Sequence, residues 1–180
     1  MASDWDENDS VDAIALAWLR ERPGTPVDGI RIVTRVWRLA KLLGEDRRRT
    51  LAAAGADAAT LDLLSVLRRG GAPYRLSTRE LTERTRVSAG AISQRVARAE
   101  QAGLVRRASG VASRTVTVTL TAEGHALVER LVDRVLGREA ELISCLSSEQ
   151  QTALTELLRA FLGELEAQLG PVPHTQVGST

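Results

Sequence analysis

The sequence is poor in cysteine and lysine, and it lacks long hydrophobic runs. Its 180 residues include one cysteine, Cys145, and one lysine, Lys41. A single cysteine excludes an intramolecular disulfide and a CxxC metal site, and no stretch approaches the roughly 18 to 20 apolar residues of a membrane-spanning helix. The acidic, polar residues 1–10 do not resemble a secretory signal. These features predict a cytoplasmic protein with no membrane association.

Aromatic residues and catalytic signatures are also scarce. With aromatics at 3%, the core must consist mainly of Leu, Val and Ala, which favours helices over a sheet-dominated fold. The sequence has no phosphate-binding loop, nucleophile elbow or glycine-rich cofactor fingerprint. His125 and His174 are too far apart to suggest a metal site, and Cys145 has acidic neighbours, which favours a packing role over a redox role. We therefore expect neither a cofactor nor enzymatic activity.

The net charge is only +1, but the charge is unevenly distributed. Residues 68–114 contain eleven arginines and three acids, so this segment carries +8 and the rest of the chain carries −7. A general preference for arginine over lysine would not by itself remove the acids from one segment. Such a division of charge is typical of nucleic-acid-binding proteins. The arginines are Arg68, Arg69, Arg75, Arg79, Arg84, Arg86, Arg95, Arg98, Arg106, Arg107 and Arg114.

Hydrophobic spacing predicts three helices in the first part of the chain. Residues 11–22 form a short amphipathic helix. Residues 27–54 carry apolar side chains at intervals of three and four, and Gly44 with the charged run after it marks a place where this helix is expected to bend or fray. Asp57 is a suitable N-cap for a third helix over residues 58–69.

The next part reads as two short helices separated by a tight turn. Ser77 and Glu80 form a capping box at the start of the first. Ser88 caps the second, which covers residues 89–102 and has an apolar stripe on one side. The opposite side is small and polar, so it can enter the major groove of DNA.

A hairpin and two further helices complete the chain. Strand-like segments lie at 104–108 and 115–120, separated by a small, flexible hairpin tip. Thr121 caps a long helix, and a capping box at Ser147 opens the last one. Helix, turn, helix and hairpin in this order predict a winged helix-turn-helix. The fold class is therefore mainly α with a small β wing, with N- and C-terminal dimerisation helices.

Several side chains of this motif suit DNA contacts. Gln94 can pair bidentately with adenine, and Ser93 can hydrogen-bond several bases. Arg95 and Arg98 can reach guanine or phosphate, while free amides at the starts of both helices accept phosphate oxygens. Arg114, beside the hairpin tip, suits the minor groove.

Five segments resemble the MarR family of bacterial transcription factors. They are DAATLDLL (57–64), LSTREL (76–81), VSAGAISQRV (87–96), AGLVRR (102–107) and LTAEG (120–124). The likeness covers about residues 27–169, and the N-terminal WLRERP (18–23) resembles an extension present in one subgroup.

The resemblance implies a dimeric repressor that reads a palindromic operator and is relieved by a small molecule or an oxidant. Arg114 matches the family's wing arginine, but Ala112 replaces the acid that usually braces it, so we expect Arg114 to be less firmly held. The family's effector pocket would place Trp37, Arg38 and Lys41 against an anion. The residues predicted to contact DNA are Thr78, Ser88, Ala89, Gly90, Ser93, Gln94, Arg95, Arg98, Arg107 and Arg114.

These features together predict a homodimeric regulator that binds double-stranded DNA. A winged-helix module that docks an acidic protein partner is the alternative, although residues such as Gln94 favour DNA. The expected organisation is an N-terminal extension (1–26), a dimerisation helix (27–56), the winged helix-turn-helix (57–122), C-terminal dimerisation helices (123–170) and a flexible tail (171–180).

Overall fold

A computed structural model of the chain describes residues 5–6, 8–109 and 116–170. Over these residues the chain forms seven helices and a small three-stranded sheet, so the predicted mainly α fold with a small β component is confirmed. In chain order the elements are α1 (Asp12–Glu21), α2 (Asp28–Ala52), α3 (Ala58–Arg69), β1 (Arg75–Ser77), α4 (Thr78–Thr85), α5 (Ala89–Gln101), β2 (Val105–Ser109), β3 (Val116–Leu120), α6 (Ala122–Ile143) and α7 (Ser148–Leu169).

The chain divides into two compact units, residues 1–46 and 47–180. The first contains α1 and most of α2, and α2 spans the boundary as one 25-residue helix. The fraying expected at Gly44 is therefore wrong, and the bend stays a prediction. The Glu and Arg residues after Gly44 are good helix formers, and they continue the helix through the glycine. The finer domain boundaries expected from the sequence stay predictions.

In the first unit, a buried carboxylate joins α1 to α2. Asp12 is 2% exposed, and its Oδ1 lies 3.1 Å from Arg35 Nη2 and 3.4 Å from Arg31 Nε. Its Oδ2 accepts the backbone N–H of Asp6. Burial raises the pKa of the Asp12 carboxyl, but the hydrogen bonds from Asp6 and Arg35 and the nearby positive charges outweigh burial, so the pKa lies below its ordinary value.

The core of the second unit surrounds α3, in which residues 61–67 are all buried. Asp57 caps this helix as predicted, because its Oδ1 accepts the N–H of Thr60 at 2.7 Å. The buried members of the core are aliphatic, as the low aromatic content predicted. They are Leu51, Leu61, Leu63, Leu64, Val66, Leu67, Leu76, Leu81, Ile92, Val96, Ala99, Val105, Val118, Leu120, Val128, Leu131 and Val135.

The sheet has the strand order β1–β3–β2, and both pairs are antiparallel. Strands β2 and β3 start and end within one residue of the predicted segments. Strand β1 was not predicted, because three residues carry no detectable alternation and the strand is defined by its pairing with a segment distant in sequence. Leu76 of β1 pairs with Val118 of β3, and both side chains are buried in the core.

The start of α6 is fastened to the end of α5. Thr121 donates its N–H to the Leu104 carbonyl oxygen and its hydroxyl to the Gly103 carbonyl oxygen, the latter at 2.7 Å. The same hydroxyl oxygen accepts the N–H of Gly124. A Cβ at Gly124 would lie 2.0 Å from the Leu104 carbonyl oxygen. Glycine is therefore required where these two backbones approach.

Helix α7 begins at the predicted capping box of Ser147 and Gln150 and has no buried residue. Apolar side chains nevertheless recur along it at helical spacing. The large hydrophobic residues exposed on α7 are Leu154, Leu157, Leu158, Phe161, Leu162 and Leu169.

Candidate nucleic-acid interface

Helix α5 has one buried and one exposed side. Its buried side is the predicted apolar stripe of Ile92, Val96 and Ala99. The opposite side consists of small or polar residues, as the second helix of a helix-turn-helix requires for entry into a groove. The exposed residues are Ala89, Gly90, Ser93, Gln94, Ala97, Arg98 and Gln101.

The starts of α4 and α5 both carry caps that leave amides available. The Ser88 hydroxyl accepts the N–H of Ala91, so helix geometry leaves the amides of Ala89 and Gly90 without an intrahelical partner. Nothing lies within 4 Å of the position a Gly90 Cβ would take. At α4, which begins with the capping box of Ser77, the amide of the half-buried Thr78 likewise has no intrahelical partner. Such amides bind phosphate oxygens well.

Arg95 lies in a different environment from the one expected. Its side chain is only 16% exposed, and its Nη1 lies 3.9 Å from Oδ2 of Asp62, a buried residue of α3. The physical reason is helical spacing: Arg95 follows Ile92 by three positions and precedes Val96, so it borders the buried stripe. Arg95 therefore joins α5 to α3 and is not part of the exposed side.

The three acids of the arginine-rich segment are all engaged within the chain. Glu80 caps α4, Glu83 accepts a hydrogen bond from Arg79 Nε at 2.8 Å, and Glu100 pairs with Arg107 of β2. Hydrogen bonds from the side chain and the backbone of Arg107 lower the pKa of the Glu100 carboxyl. Arg107, predicted to contact DNA, is exposed but held by this carboxylate.

Other arginines of the segment are exposed and form no ion pair with any described residue. They include Arg98, which was predicted, and Arg75, Arg84 and Arg106, which were not singled out. The local charge of +8 was the signal for them in the sequence. Spacing alone could not separate the unpaired arginines from the paired ones, because the pairing depends on how the strands and helices assemble.

Two predictions on the wing and the effector pocket have separate outcomes. Arg114 and the hairpin tip from residue 110 lie outside the described residues, so the wing role of Arg114 stays a prediction. Trp37, Arg38 and Lys41 lie exposed on α2 in the first unit. Arg38 donates a hydrogen bond to the Ser10 hydroxyl at 2.6 Å, an interaction within this unit.

A cavity not expected from the sequence lies between α3 and α5. Its volume is about 200 Å³, and its polar lining consists of Asp57, Thr60, Arg95 and Arg98. Burial raises the pKa of the Asp57 carboxyl, but the hydrogen bonds of Thr60 and the charges of Arg98 and Arg95 outweigh burial and lower it. The described residues contain no cluster of three or more side chains suited to a metal ion. Among the helices of the described residues, none has the length and apolar character needed to cross a membrane.

A helix-turn-helix joined to a three-stranded sheet, with a surface rich in unpaired arginines, defines a winged-helix DNA-binding protein. Comparison with known proteins narrows this class. A model of the MarR family matches residues 55–115. The regulator PecS of Dickeya dadantii (strain 3937), described as an HTH-type transcriptional regulator, is 31% identical over 160 residues, which cover 88% of this chain and 94% of PecS. The chain belongs to the MarR family and is a DNA-binding transcriptional regulator, not an enzyme.

Solved structures of the family share this fold. A mutant MarR from E. coli in complex with operator DNA is 25% identical, with a TM-score of 0.59, and covers 73% of this chain and 96% of its own. A MarR family protein from Mycobacterium tuberculosis in complex with p-aminosalicylic acid is 26% identical, with a TM-score of 0.55, and covers 72% and 97% of the two chains.

Proposed function

We propose that the protein is a cytoplasmic homodimeric repressor that binds a palindromic operator and is released by a small-molecule effector. The observation that most supports DNA binding at this site is the composition of the exposed side of α5. It combines a small N-terminal end, free amides and two base-reading side chains, Ser93 and Gln94. In this proposal Ser93 and Gln94 read bases, and Arg98 binds guanine or phosphate.

The charges around α5 support contact with a polyanion. Glu83 and Glu100 pair with Arg79 and Arg107 and Glu80 caps α4, so the exposed Arg75, Arg98 and Arg106 remain without an ion-pair partner among the described residues. Helix N-termini at Thr78 and Ala89 add partial positive charge on the same helix-turn-helix. Binding should therefore depend strongly on salt.

The exposed apolar surface of α7 supports a homodimer. A helix of 22 residues without any buried side chain is not expected to stay ordered in water by itself. Its leucines and Phe161 form an apolar face of the kind that marks an interface. A two-fold dimer would present two copies of α5 to the two halves of a palindrome.

Effector control is supported by the p-aminosalicylic acid complex of the M. tuberculosis relative. This chain offers two candidate locations for an effector. One is the α3–α5 cavity beside Arg98, and the other is the exposed group of Trp37, Arg38 and Lys41 on α2. A ligand at the first would lie next to the proposed DNA-binding side of α5.

The test is fluorescence anisotropy with DNA from the promoter region of the protein's own gene and with a scrambled control. Salt is varied from about 50 to 200 mM. A dimer that makes roughly 6–10 phosphate contacts should prefer the promoter and lose about 10³–10⁵ in affinity over this range. Equal, weak binding to both fragments at all salt concentrations would contradict the assignment of this promoter as operator and favour an acidic protein as the partner of the basic surface.

A further inference from the structure

The outer face of the sheet carries a row of polar residues that the site on α5 does not use. Arg75 of β1, Thr119 of β3 and Arg106 of β2 are directly paired across the three strands. Neighbouring rows contain Leu76, Val118 and Leu120, which are buried. Because side chains alternate between faces along a strand, the row of Arg75, Thr119 and Arg106 lies on the face away from the core.

Both arginines of this row are exposed, and neither side chain forms an ion pair or hydrogen bond with a described residue. The hairpin residues 110–115, which lie outside the described residues, contain no acid in the sequence. The strands that carry Arg75 and Arg106 are separated by one intervening strand, so their Cα atoms are about 10 Å apart. Arginine side chains are long enough for both guanidinium groups to reach phosphates of one DNA backbone, whose charges recur about every 3.4 Å along the helix axis.

The chemistry of this face favours DNA over a protein partner. The outward positions beside the arginines are Ser77, Thr117 and Ala108, which provide small or hydroxyl side chains. Protein interfaces depend on buried aromatic and large apolar anchors, and this row contains none. Guanidinium groups are usual donors to phosphate, whereas the hydroxyl groups of Ser77 and Thr117 already donate within the chain, to Glu80 and to the Ala108 carbonyl oxygen.

The connections of the strands also favour DNA. Strand β1 runs directly into the cap of α4 at Ser77, and β2 begins four residues after the last residue of α5. Arg75 is therefore close in sequence to α4, and Arg106 is close in sequence to α5, the two helices of the candidate DNA-binding site. We propose that Arg75 and Arg106 bind phosphates that flank the half-site read by α5. This inference rests on the proposed DNA-binding function and extends its footprint.

The experiment compares the parent with the double variant Arg75→Gln/Arg106→Gln on two operator fragments. One fragment ends at the base pairs contacted by α5, and the other is longer by about one helical turn, or 10 base pairs, at each end. If each protomer loses two phosphate contacts, a dimer loses four, and the slope of log K against log salt should fall by about 3.6 on the longer fragment. On the shorter fragment, the parent and the variant should have the same slope.

Two further variants control for charge and for the chemistry of arginine. Arg20→Gln/Arg130→Gln removes two exposed charges from α1 and α6 and should leave the slope unchanged on both fragments. Arg75→Lys/Arg106→Lys keeps the charge and should restore most of the slope on the longer fragment. An unchanged melting temperature of the Arg75→Gln/Arg106→Gln variant confirms that it is folded.

The outcomes separate this inference from the proposed function. If the parent binds the operator and the Arg75→Gln/Arg106→Gln variant keeps the parental slope on the longer fragment, the inference is overturned while the DNA-binding function stands. An equal loss of slope on both fragments also overturns it, because the contacts then lie within the core site. Failure of the parent to bind any operator fragment would contradict the proposed function itself.

Discussion

Arg95 and Arg98 lie one turn apart on α5 and have opposite environments. Arg95 is 16% exposed and pairs with the buried Asp62 of α3. Arg98 is exposed at the edge of the α3–α5 cavity. At the scale of single residues, two arginines of one helix therefore have different roles. Arg95 holds α5 against the core, and Arg98 is available to DNA or to a ligand.

The first prediction compares Arg95→Ala with Arg98→Ala. Arg95→Ala removes a guanidinium group that lies 3.9 Å from the buried Asp62 carboxylate, so the free energy of unfolding should fall by about 1–3 kcal/mol. Arg98→Ala changes an exposed side chain and should stay within about 0.5 kcal/mol of the parent, while its DNA affinity falls. Urea unfolding followed by circular dichroism measures both variants. Equal losses of stability would show that the pair between Arg95 and Asp62 has no special energetic role.

The second prediction concerns Gly90, whose Cβ position is open. Gly90→Ala should leave stability unchanged or raise it by up to about 1 kcal/mol, because alanine is the better helix former. DNA affinity should fall, since the added methyl group would hold the α5 backbone away from the groove floor. Gly29→Ala is the matched control: Gly29 is likewise the second residue of a helix with open space around it, and it should not change DNA binding. Unaltered affinity for Gly90→Ala would argue against close backbone approach.

At the scale of elements, the helix boundaries could be predicted because local side chains encode them. Asp57, Ser77, Ser88, Thr121 and Ser147 each cap the helix that the sequence assigned to them. Such caps need only residues three positions apart. The apolar stripe of α5 could likewise be predicted from the spacing of its apolar residues.

Features that depend on distant partners could not be predicted in this way. Strand β1 exists only through pairing with β3. The inward position of Arg95 depends on Asp62 of another helix, and the pairing of Arg107 depends on Glu100. The candidate site was therefore predictable as a helix face, whereas the state of each arginine within it required the assembled fold.

The third prediction tests the junction between α5 and α6. Gly124→Ala would place a methyl group 2.0 Å from the Leu104 carbonyl oxygen, and the backbone would have to move. Overpacking of this kind should cost about 1–3 kcal/mol, read from the shift in urea midpoint. Gly137→Ala, in the same helix with open space around it, should cost nothing. A Gly124→Ala variant as stable as the parent would mean that the two segments are not tightly joined in solution.

At the scale of the whole molecule, exposed hydrophobic surface is concentrated on helices outside the DNA-binding core. Helix α7 has no buried residue, and α2 exposes large apolar side chains as well, among them Trp37 at 72% exposure. Patches of this kind are rare on monomers. They support the homodimer proposed above.

The fourth prediction is that charges on the apolar face of α7 separate the dimer. Leu158→Glu/Leu162→Glu should give a monomer by light scattering and should lower operator affinity, because the two half-sites are then bound independently. Ala160→Glu/Ala167→Glu adds the same charge to the opposite side of α7 and should remain dimeric. A dimeric Leu158→Glu/Leu162→Glu variant would exclude this face from the interface.

The fifth prediction concerns the acid sensitivity of the first unit. Because the folded-state pKa of Asp12 lies below its ordinary value, its ionised form stabilises the fold above pH of about 4, and this contribution is lost as the pH falls through the folded-state pKa. Asp12→Asn should therefore be less stable than the parent at pH 7, and the difference should shrink at pH 3. Urea unfolding at both pH values measures it. A difference that is independent of pH would assign the loss to packing rather than to charge.

Helix α6 is a single span of 22 residues that starts at the Leu104 junction beside α5 and ends in exposed apolar side chains. Its length is about 33 Å. A rotation of α6 by about 6° about its far end would displace the end at Gly124 by about 3.4 Å, the axial spacing of successive phosphates on one strand. In the proposed homodimer, the spacing between operator half-sites that the protein accepts would therefore depend on the angle between the two copies of α6. A change of a few degrees would be enough to shift the contacted position by one base pair.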